Sequence, residues 1–409
     1  MYLYSNIRQL INASKQAFDI KKGRDLATLE SIENAFIICD TDGIKSFGQM
    51  SELDKNLAFT KEIDCEDSFV IPSFVDSHTH LVFPKTREEE FVDRINGLSY
   101  VEIAKRGGGI LNTAKHTARI SEEELFESTW LRLREIIKMG TGAVEIKSGY
   151  GLSLESELKL LRVAKRIQEA SPIKVKTTFL GAHAVPKDME QEAYVKTVIE
   201  EMLPAVAEEK LADYCDVFCD RGFFTEKETD AILNAASKYG LKAKIHANEL
   251  DYSGGIQVGV KNKAVSVDHL ECTGDAEIEA LRNSNTIATL LPSTAFFLEM
   301  EYPPARKMIQ ENLAISLASD YNPGSSPSGN MNFIWSLACI KMKMLPEEAL
   351  NAATVNAAYA MEIGESHGGI YINGPANFII TEKFEKLSFM PYNFGRPAIK
   401  NVVLNGEIV

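Results

Sequence analysis

The 409-residue sequence contains no long apolar run and no concentrated block of lysine and arginine. A membrane-spanning helix needs about 20 consecutive apolar residues, so we expect no transmembrane segment. The formal net charge is −14, whereas a nucleic-acid or anionic-membrane partner would require a basic surface. If the substrate is an anion, a particular local cation must hold it, because the overall field opposes its approach.

Cysteine is also scarce, and the six thiols are not spaced as a disulfide framework. The N-terminal stretch Met1-Tyr-Leu-Tyr-Ser-Asn6 lacks the charged region and apolar core of a secretory signal peptide. These two features predict a reduced, cytoplasmic protein.

From residue 74 onward, apolar and β-branched runs alternate with segments that carry helix signals. Ser121 and Thr225 each precede a glutamate by three residues, which is the capping-box pattern of a helix start. Eight repeats of strand and helix predict a (β/α)8 barrel. The predicted strands are 74–80, 141–148, 175–183, 213–219, 241–246, 264–270, 286–291 and 314–320.

The two chain ends do not follow this rhythm. Residues 1–72 and 366–409 contain short strand-like runs and turns, which predict a small β-sandwich domain built from both termini. The barrel is predicted to span residues 73–365 between these two parts.

Polar residues collect at one end of the predicted barrel strands. Because the carboxyl ends of all eight strands form a single mouth, these side chains should converge although they are far apart in sequence. They are His78, His80, His183, His246, His269 and Asp320.

His78 and His80 are separated by one residue, so a strand directs both imidazoles to the same face. With His246 and Asp320 they supply three nitrogens and one carboxylate oxygen, a donor set suited to a single catalytic metal ion. Such an ion would lower the pKa of bound water to about 7. Glu249 and His269 stand beside this set as candidates for moving protons.

The site residues and several longer motifs resemble those of known enzymes. The His-x-His strand, the later histidines and the aspartate resemble the amidohydrolase superfamily, and further segments resemble the imidazolonepropionases, which open the imidazolone ring in histidine breakdown. The matching stretches are Phe74-Val-Asp-Ser-His-Thr-His-Leu-Val-Phe83, Gly107-Gly-Gly-Ile110, Glu145-Ile-Lys-Ser-Gly-Tyr-Gly-Leu152, Thr178-Phe-Leu-Gly-Ala-His183, Asp216-Val-Phe-Cys219 and Asp320-Tyr-Asn-Pro-Gly-Ser325.

The resemblance implies a role for each matching residue. One divalent or trivalent metal ion per subunit, zinc or iron, would be bound by His78, His80, His246 and Asp320. Proton transfer would be shared by Glu249, His269 and Asp320. The implied substrate contacts are Arg87, Tyr150, His183, Glu249, Asn322, Gly324 and Ser325. The implied reaction converts 4-imidazolone-5-propanoate to N-formimidoyl-L-glutamate.

The chemistry of two further side chains bears on this assignment. Arg87 would supply the local cation, because a guanidinium can donate two parallel hydrogen bonds to the propionate of the substrate. Lys147 could instead suggest the modified lysine that bridges two metals in some amidohydrolases, but we interpret it as a pairing or packing residue.

Two alternatives remain at this point. One is a sibling amidohydrolase, such as an aminoaryl deaminase or a hydantoinase-like enzyme, and the other is a catalytically inactive barrel that serves as a scaffold. We expect a small anionic substrate, no nucleic-acid or membrane partner, and a homodimer by analogy with enzymes of this type.

Overall fold

The structure is a computed structural model that describes residues 1–54, 56–98, 102, 106, 108–396 and 398–409. Its strands are β1 (Tyr2–Ile11), β2 (Ala13–Ser14), β3 (Ser31–Asp40), β4 (Gly43–Gln49), β5 (Lys61–Pro72), β6 (Phe74–Thr79), β7 (Thr141–Lys147), β8 (Lys174–Ala182), β9 (Tyr214–Cys219), β10 (Lys242–Ala247), β11 (Ser266–His269), β12 (Ile287–Leu290), β13 (Ile315–Leu317), β14 (Ile370–Tyr371), β15 (Phe378–Thr381), β16 (Ile399–Leu404) and β17 (Glu407–Ile408).

The α-helices of the described residues are Glu88–Ile95, Ile110–Arg119, Glu122–Lys138, Leu154–Ala170, Gln191–Thr197, Leu203–Glu208, Glu226–Ser237, Gly255–Lys261, Asp275–Arg282, Pro292–Leu298, Ala305–Gln310, Met331–Ile340, Pro346–Ala353, Val355–Ala360 and Phe389–Tyr392. Shorter helical segments are the 3-10 turns Gly23–Ala27 and Met50–Glu52 and the π-helical segment Val198–Met202. No helix in this described part of the chain has both the length and the apolar character to cross a bilayer.

Strands β6 to β13 form a parallel eight-stranded sheet in sequence order, as the predicted barrel requires. Every residue of β6, β7, β9, β11 and β12 is buried, which is typical of strands covered on both faces. A backbone bridge between Thr79 and Tyr321 joins the first strand to the segment after the last and nearly closes the ring. The predicted barrel is therefore confirmed.

The helix starts also lie where the capping pattern placed them. The hydroxyl of Ser121 accepts a hydrogen bond from the backbone N–H of Glu124 at 3.2 Å, and the helix begins at Glu122. The hydroxyl of Thr225 accepts in the same way from Glu228 at 3.3 Å. These bonds satisfy amide groups that a helix start otherwise leaves without partners.

A second, seven-stranded sheet is built from both termini in the order β17-β16-β15-β5-β1-β3-β4, and β2 and β14 form a separate pair. The two chain ends meet where β15 pairs antiparallel with β5, with Ile379 opposite Ile71. This sheet has its own apolar cluster, which includes Tyr4, Ile37 and Phe378. The predicted small domain from both termini is thus present, while its residue limits remain a prediction.

Candidate active site

The seam of the barrel brings the first and last strands into register at the mouth. The backbone N–H of Asp320 donates to the carbonyl of His78 at 3.0 Å, and that of His80 donates to Tyr321 at 2.9 Å. Asp320 adopts a left-handed backbone conformation, with φ of 54°. The predicted ligands at the two ends of the barrel sequence therefore become direct neighbours.

Four predicted donors converge at this point. Nε2 of His80 lies 3.2 Å from Nε2 of His246, and Oδ1 of Asp320 lies 3.4 Å from Nε2 of His78 and 3.7 Å from Nε2 of His80. Among the described residues, His78, His80 and Asp320 form a group that could hold a metal ion, as do His80, His183 and His246. Nε2 of His78 is buried, and no described residue forms a hydrogen bond with it. A buried polar atom without a partner, aimed at three other donors, fits a divalent cation.

Two carboxylates behind the ligands set the orientation of their rings. Oδ2 of Asp268 lies 2.7 Å from Nδ1 of His78, and Oδ2 of Asp216 lies 3.0 Å from Nδ1 of His246. A carboxylate at Nδ1 favours the tautomer that leaves the Nε2 lone pair free for a metal. The sequence analysis did not predict these roles. An acidic residue inside an otherwise apolar strand was a signal that could have indicated them, because such a side chain is buried only with a partner.

Lys147 lies beneath this arrangement as a paired cation, in agreement with its interpretation from the sequence. Its ammonium lies 2.7 Å from Asp216, 2.8 Å from Glu145 and 3.4 Å from Asp268, and its side chain is wholly buried. Burial lowers the pKa of Lys147, but the carboxylates of Asp216, Glu145 and Asp268 outweigh it and raise the pKa above its usual value. Lys147 is therefore charged at neutral pH.

The loop after β13 fixes the second oxygen of Asp320. Oδ2 accepts hydrogen bonds from the hydroxyl of Thr294 at 2.6 Å and the amide of Asn322 at 2.9 Å. The side-chain oxygen of Asn322 in turn accepts from the backbone N–H groups of Gly324 and Ser325, each at 2.8 Å. Because these bonds occupy Oδ2, Oδ1 is the oxygen that faces the histidines.

Arg87 approaches the same loop. Its Nε donates to the hydroxyl of Thr113 at 2.8 Å, and its guanidinium lies 5.3 Å from the ring centre of Tyr150. A Cβ atom on Gly324 would lie 2.2 Å from Nη1 of Arg87, so only glycine allows this approach. Nη2 of Arg87 is buried with no hydrogen-bond partner in the described structure, as expected of a group that receives an anion from outside the chain.

His183 and Tyr150 form one wall beside the ligands. The ring of His183 stacks on that of His80 with 5.2 Å between centroids, and Tyr150 lies 5.3 Å from His183. Nδ1 of His183 bonds the carbonyl of Gly149 at 3.0 Å, and burial lowers the pKa of His183 to about 4. Gly149 has φ of 110°, and a Cβ there would lie 2.7 Å from that nitrogen. His183 is thus a neutral side chain with a fixed orientation.

Glu249 and His269 face each other across the mouth. Nε2 of His269 lies 3.7 Å from Oε2 of Glu249, and Nδ1 lies 3.6 Å from Glu271. Burial raises the pKa of Glu249. Burial lowers the pKa of His269, but the carboxylates of Glu249 and Glu271 outweigh it and raise that pKa. The pair can therefore hold and exchange a proton near neutral pH.

One cavity of about 540 Å³ opens at this mouth of the barrel. The predicted site residues that line it are His80, Arg87, Tyr150, His183, His246, Glu249, His269, Asp320, Asn322, Gly324 and Ser325. His78 lies below its floor, wholly buried. Of the matching stretch Gly107-Gly-Gly-Ile110, Gly107 falls outside the described residues.

Comparison with known proteins shows to which class of protein this chain belongs. The family model described as "Amidohydrolase family" matches residues 69–409. Two solved structures share the fold. E. coli guanine deaminase has a TM-score of 0.74 at 13% identity, and the match covers 100% of this chain and 98% of that one. A zinc-bound adenosine deaminase from Xanthomonas campestris has a TM-score of 0.69 at 14% identity, covering 100% and 92%. The fold and the site thus define an amidohydrolase, a hydrolase enzyme.

Relatives with similar sequences indicate which family of amidohydrolases this chain belongs to. The imidazolonepropionase of Christiangramia forsetii is 49% identical over 409 residues, covering 100% of this chain and 99% of its own length. That of Clostridium tetani is 41% identical over 411 residues, covering 100% and 97%. The chain belongs to the imidazolonepropionase family, and the resemblance found in its motifs is confirmed.

Proposed function

We propose that this protein hydrolyses the cyclic amide bond of 4-imidazolone-5-propanoate, giving N-formimidoyl-L-glutamate in histidine degradation. The observation that carries the proposal is a single cavity in which the buried, unpartnered Nη2 of Arg87 lies beside the histidine and aspartate donors. A cation and a metal-binding set in one cavity suit a substrate that joins a carboxylate to a hydrolysable ring. The full-length identity to imidazolonepropionases supports the same reaction.

One divalent metal ion, zinc or iron, would be held by His78, His80, His246 and Asp320. Three imidazole nitrogens and one carboxylate suit either metal. When bound, the ion would act as a Lewis acid and lower the pKa of water towards neutrality.

Substrate contacts would come from the walls of the cavity. The guanidinium of Arg87 would hold the propionate, and the rings of Tyr150 and His183 would flank the imidazolone. The turn at Asn322, Gly324 and Ser325 would contact the substrate near its propionate, since Gly324 lies against Arg87.

Glu249, His269 and Asp320 would share the proton transfers. His269, 3.7 Å away, would stabilise the ionised form of Glu249 before the reaction, so that this carboxylate can take a proton from the attacking water. Because burial raises the pKa of Glu249, the carboxyl would then hold that proton until it passes to the ring nitrogen that leaves. Asp320, oriented by Thr294 and Asn322, would hold the water on the side of the ring carbonyl.

The proposal is tested by incubating metal-loaded protein with freshly made imidazolonepropionate and following the product by mass. Gain of one water, lost in a chelator-treated control, is the expected result. Ammonia release would instead favour an aminoaryl deaminase, and turnover of uncharged rings a hydantoinase-like enzyme. Metal binding without any turnover would favour the inactive scaffold.

A cytoplasmic location and a homodimer also belong to this proposal. Both follow by analogy with other enzymes of this type. Cell fractionation and multi-angle light scattering would test them, and a monomeric mass at working concentration would contradict the dimer.

A further inference from the structure

A network of buried charges lies directly behind the metal donors. Lys147 contacts three carboxylates, and Lys244 makes an ion pair with one of them, Glu145. All of these side chains have no exposed surface. The members are Glu145, Lys147, Asp216, Lys244 and Asp268, which we call the buried network.

Lys147 occupies a particular place in the buried network, because it shares atoms with two metal ligands. Oδ2 of Asp216 contacts both the ammonium of Lys147, at 2.7 Å, and Nδ1 of His246, at 3.0 Å. Oδ2 of Asp268 contacts the same ammonium at 3.4 Å and Nδ1 of His78 at 2.7 Å. One cation therefore joins two carboxylates, and each carboxylate orients one ligand.

Lys244 offers a contrast within the same network. It is equally buried and carries the same charge, but it pairs with Glu145, donates to the carbonyl of Ser77 and lies 5.1 Å from the ring centre of Tyr214. Within the described residues, it forms no ion pair with either aspartate that orients a ligand. The third histidine ligand, His80, also lies outside this arrangement, because its Nδ1 faces the backbone carbonyl of Ser148 at 3.3 Å.

We propose that Lys147 is a positioning residue that holds Asp216 and Asp268 in place, so that His78 and His246 both direct Nε2 at the metal. The inference rests on the proposed metal site. Without Lys147, the two aspartates would lose the ammonium group that both of them contact, and their carboxylates would repel each other and turn apart. Each imidazole would then lose its fixed ring orientation and tautomer.

Two physical effects of removing Lys147 have opposite signs. Loss of a nearby positive charge alone increases the attraction for a divalent ion and tightens its binding. Loss of ligand orientation weakens binding, commonly by about 10- to 100-fold for groups behind a metal ligand. The sign of the change in affinity therefore separates positioning from simple electrostatics.

The sharpest experiment compares two double variants with equal charge. Glu145→Gln with Lys147→Met and Glu145→Gln with Lys244→Met each remove one negative and one positive charge from the buried network. Zinc dissociation constants are measured on the full chain by competition with a chromophoric chelator at fixed pH. We expect about 10- to 100-fold weaker binding in the Lys147 variant and a change below about 3-fold in the Lys244 variant.

Equal affinities in the two double variants would overturn the proposal. If the Lys147 double variant does not fold, Lys147→Gln, which keeps a polar side chain, replaces it. Weaker zinc binding by that variant would support the positioning role, whereas unchanged or tighter binding would overturn it. Failure of the wild-type protein to bind zinc or ferrous iron at all would instead contradict the proposed metal site. None of these readouts depends on turnover of the substrate.

Discussion

Replacing Arg87 by glutamine should weaken binding of the substrate through its propionate. The guanidinium has one partner at Nε, the hydroxyl of Thr113, and a buried Nη2 that is ready for a carboxylate oxygen. A hydrogen bond between charged groups contributes about 1.5–3 kcal/mol. Arg87 is only partly buried, so we expect the lower part of this range for each of two bonds. The two bonds together contribute about 3 kcal/mol, and their loss raises KM by about 150-fold.

The assay is steady-state hydrolysis of imidazolonepropionate and of its propionamide analogue, by wild type and by Arg87→Gln. The variant should have a much higher KM for the acid and a nearly unchanged KM for the neutral amide, while kcat changes by less than about tenfold. Thr113→Val is the matched control, because it removes the hydroxyl partner of Arg87 and keeps the guanidinium. An equal rise in KM for the acid and for the amide would refute the role of Arg87 in binding the carboxylate.

Three further outcomes are expected. His246→Ala should abolish metal binding and turnover, and retained activity without bound metal would contradict the site. Glu249→Gln should keep the metal but lower kcat by about 10²- to 10⁴-fold, the usual contribution of a proton-transfer group; metal loss would reassign Glu249 as a ligand. Burial lowers the pKa of His367 to about 4, so the unfolded chain takes a proton below about pH 6.5 and the folded one does not. Between pH 7 and pH 5, the free energy of unfolding measured in urea should therefore fall by about 1–2 kcal/mol more in the wild type than in His367→Gln, and an equal fall in both proteins would exclude this residue.

The barrel and its donor set were accessible from sequence for a simple physical reason. Strand periodicity predicts β6 to β13, and parallel strands in a barrel bring their carboxyl ends to one mouth. His78, His80 and Asp320 therefore had to approach one another, whatever the detailed packing. The strand limits differ from the prediction by a few residues only, for example in β11, where the predicted strand 264–270 is Ser266–His269.

The buried network was not accessible in the same way. Asp216, Asp268 and Lys147 lie on three different strands, and their contacts depend on the register between those strands. His246 aligns with Asp268 across β10 and β11, for instance, and no local pattern specifies that alignment. The approach of Arg87 to Gly324 likewise depends on two long connections meeting above the barrel, which side-chain periodicity does not describe.

The joining of both termini in one sheet has a consequence for how the chain folds as it is synthesised. Strands β5, β1, β3 and β4 are neighbours and can pair as soon as the first part of the chain has emerged. The other edge of β5 must wait for β15, whose partners there include Ile71 and Val70. Until then this apolar strand presents unpaired backbone groups, the feature that promotes intermolecular pairing. A chain truncated before β15 would carry that exposed edge permanently, so the small domain would promote its aggregation.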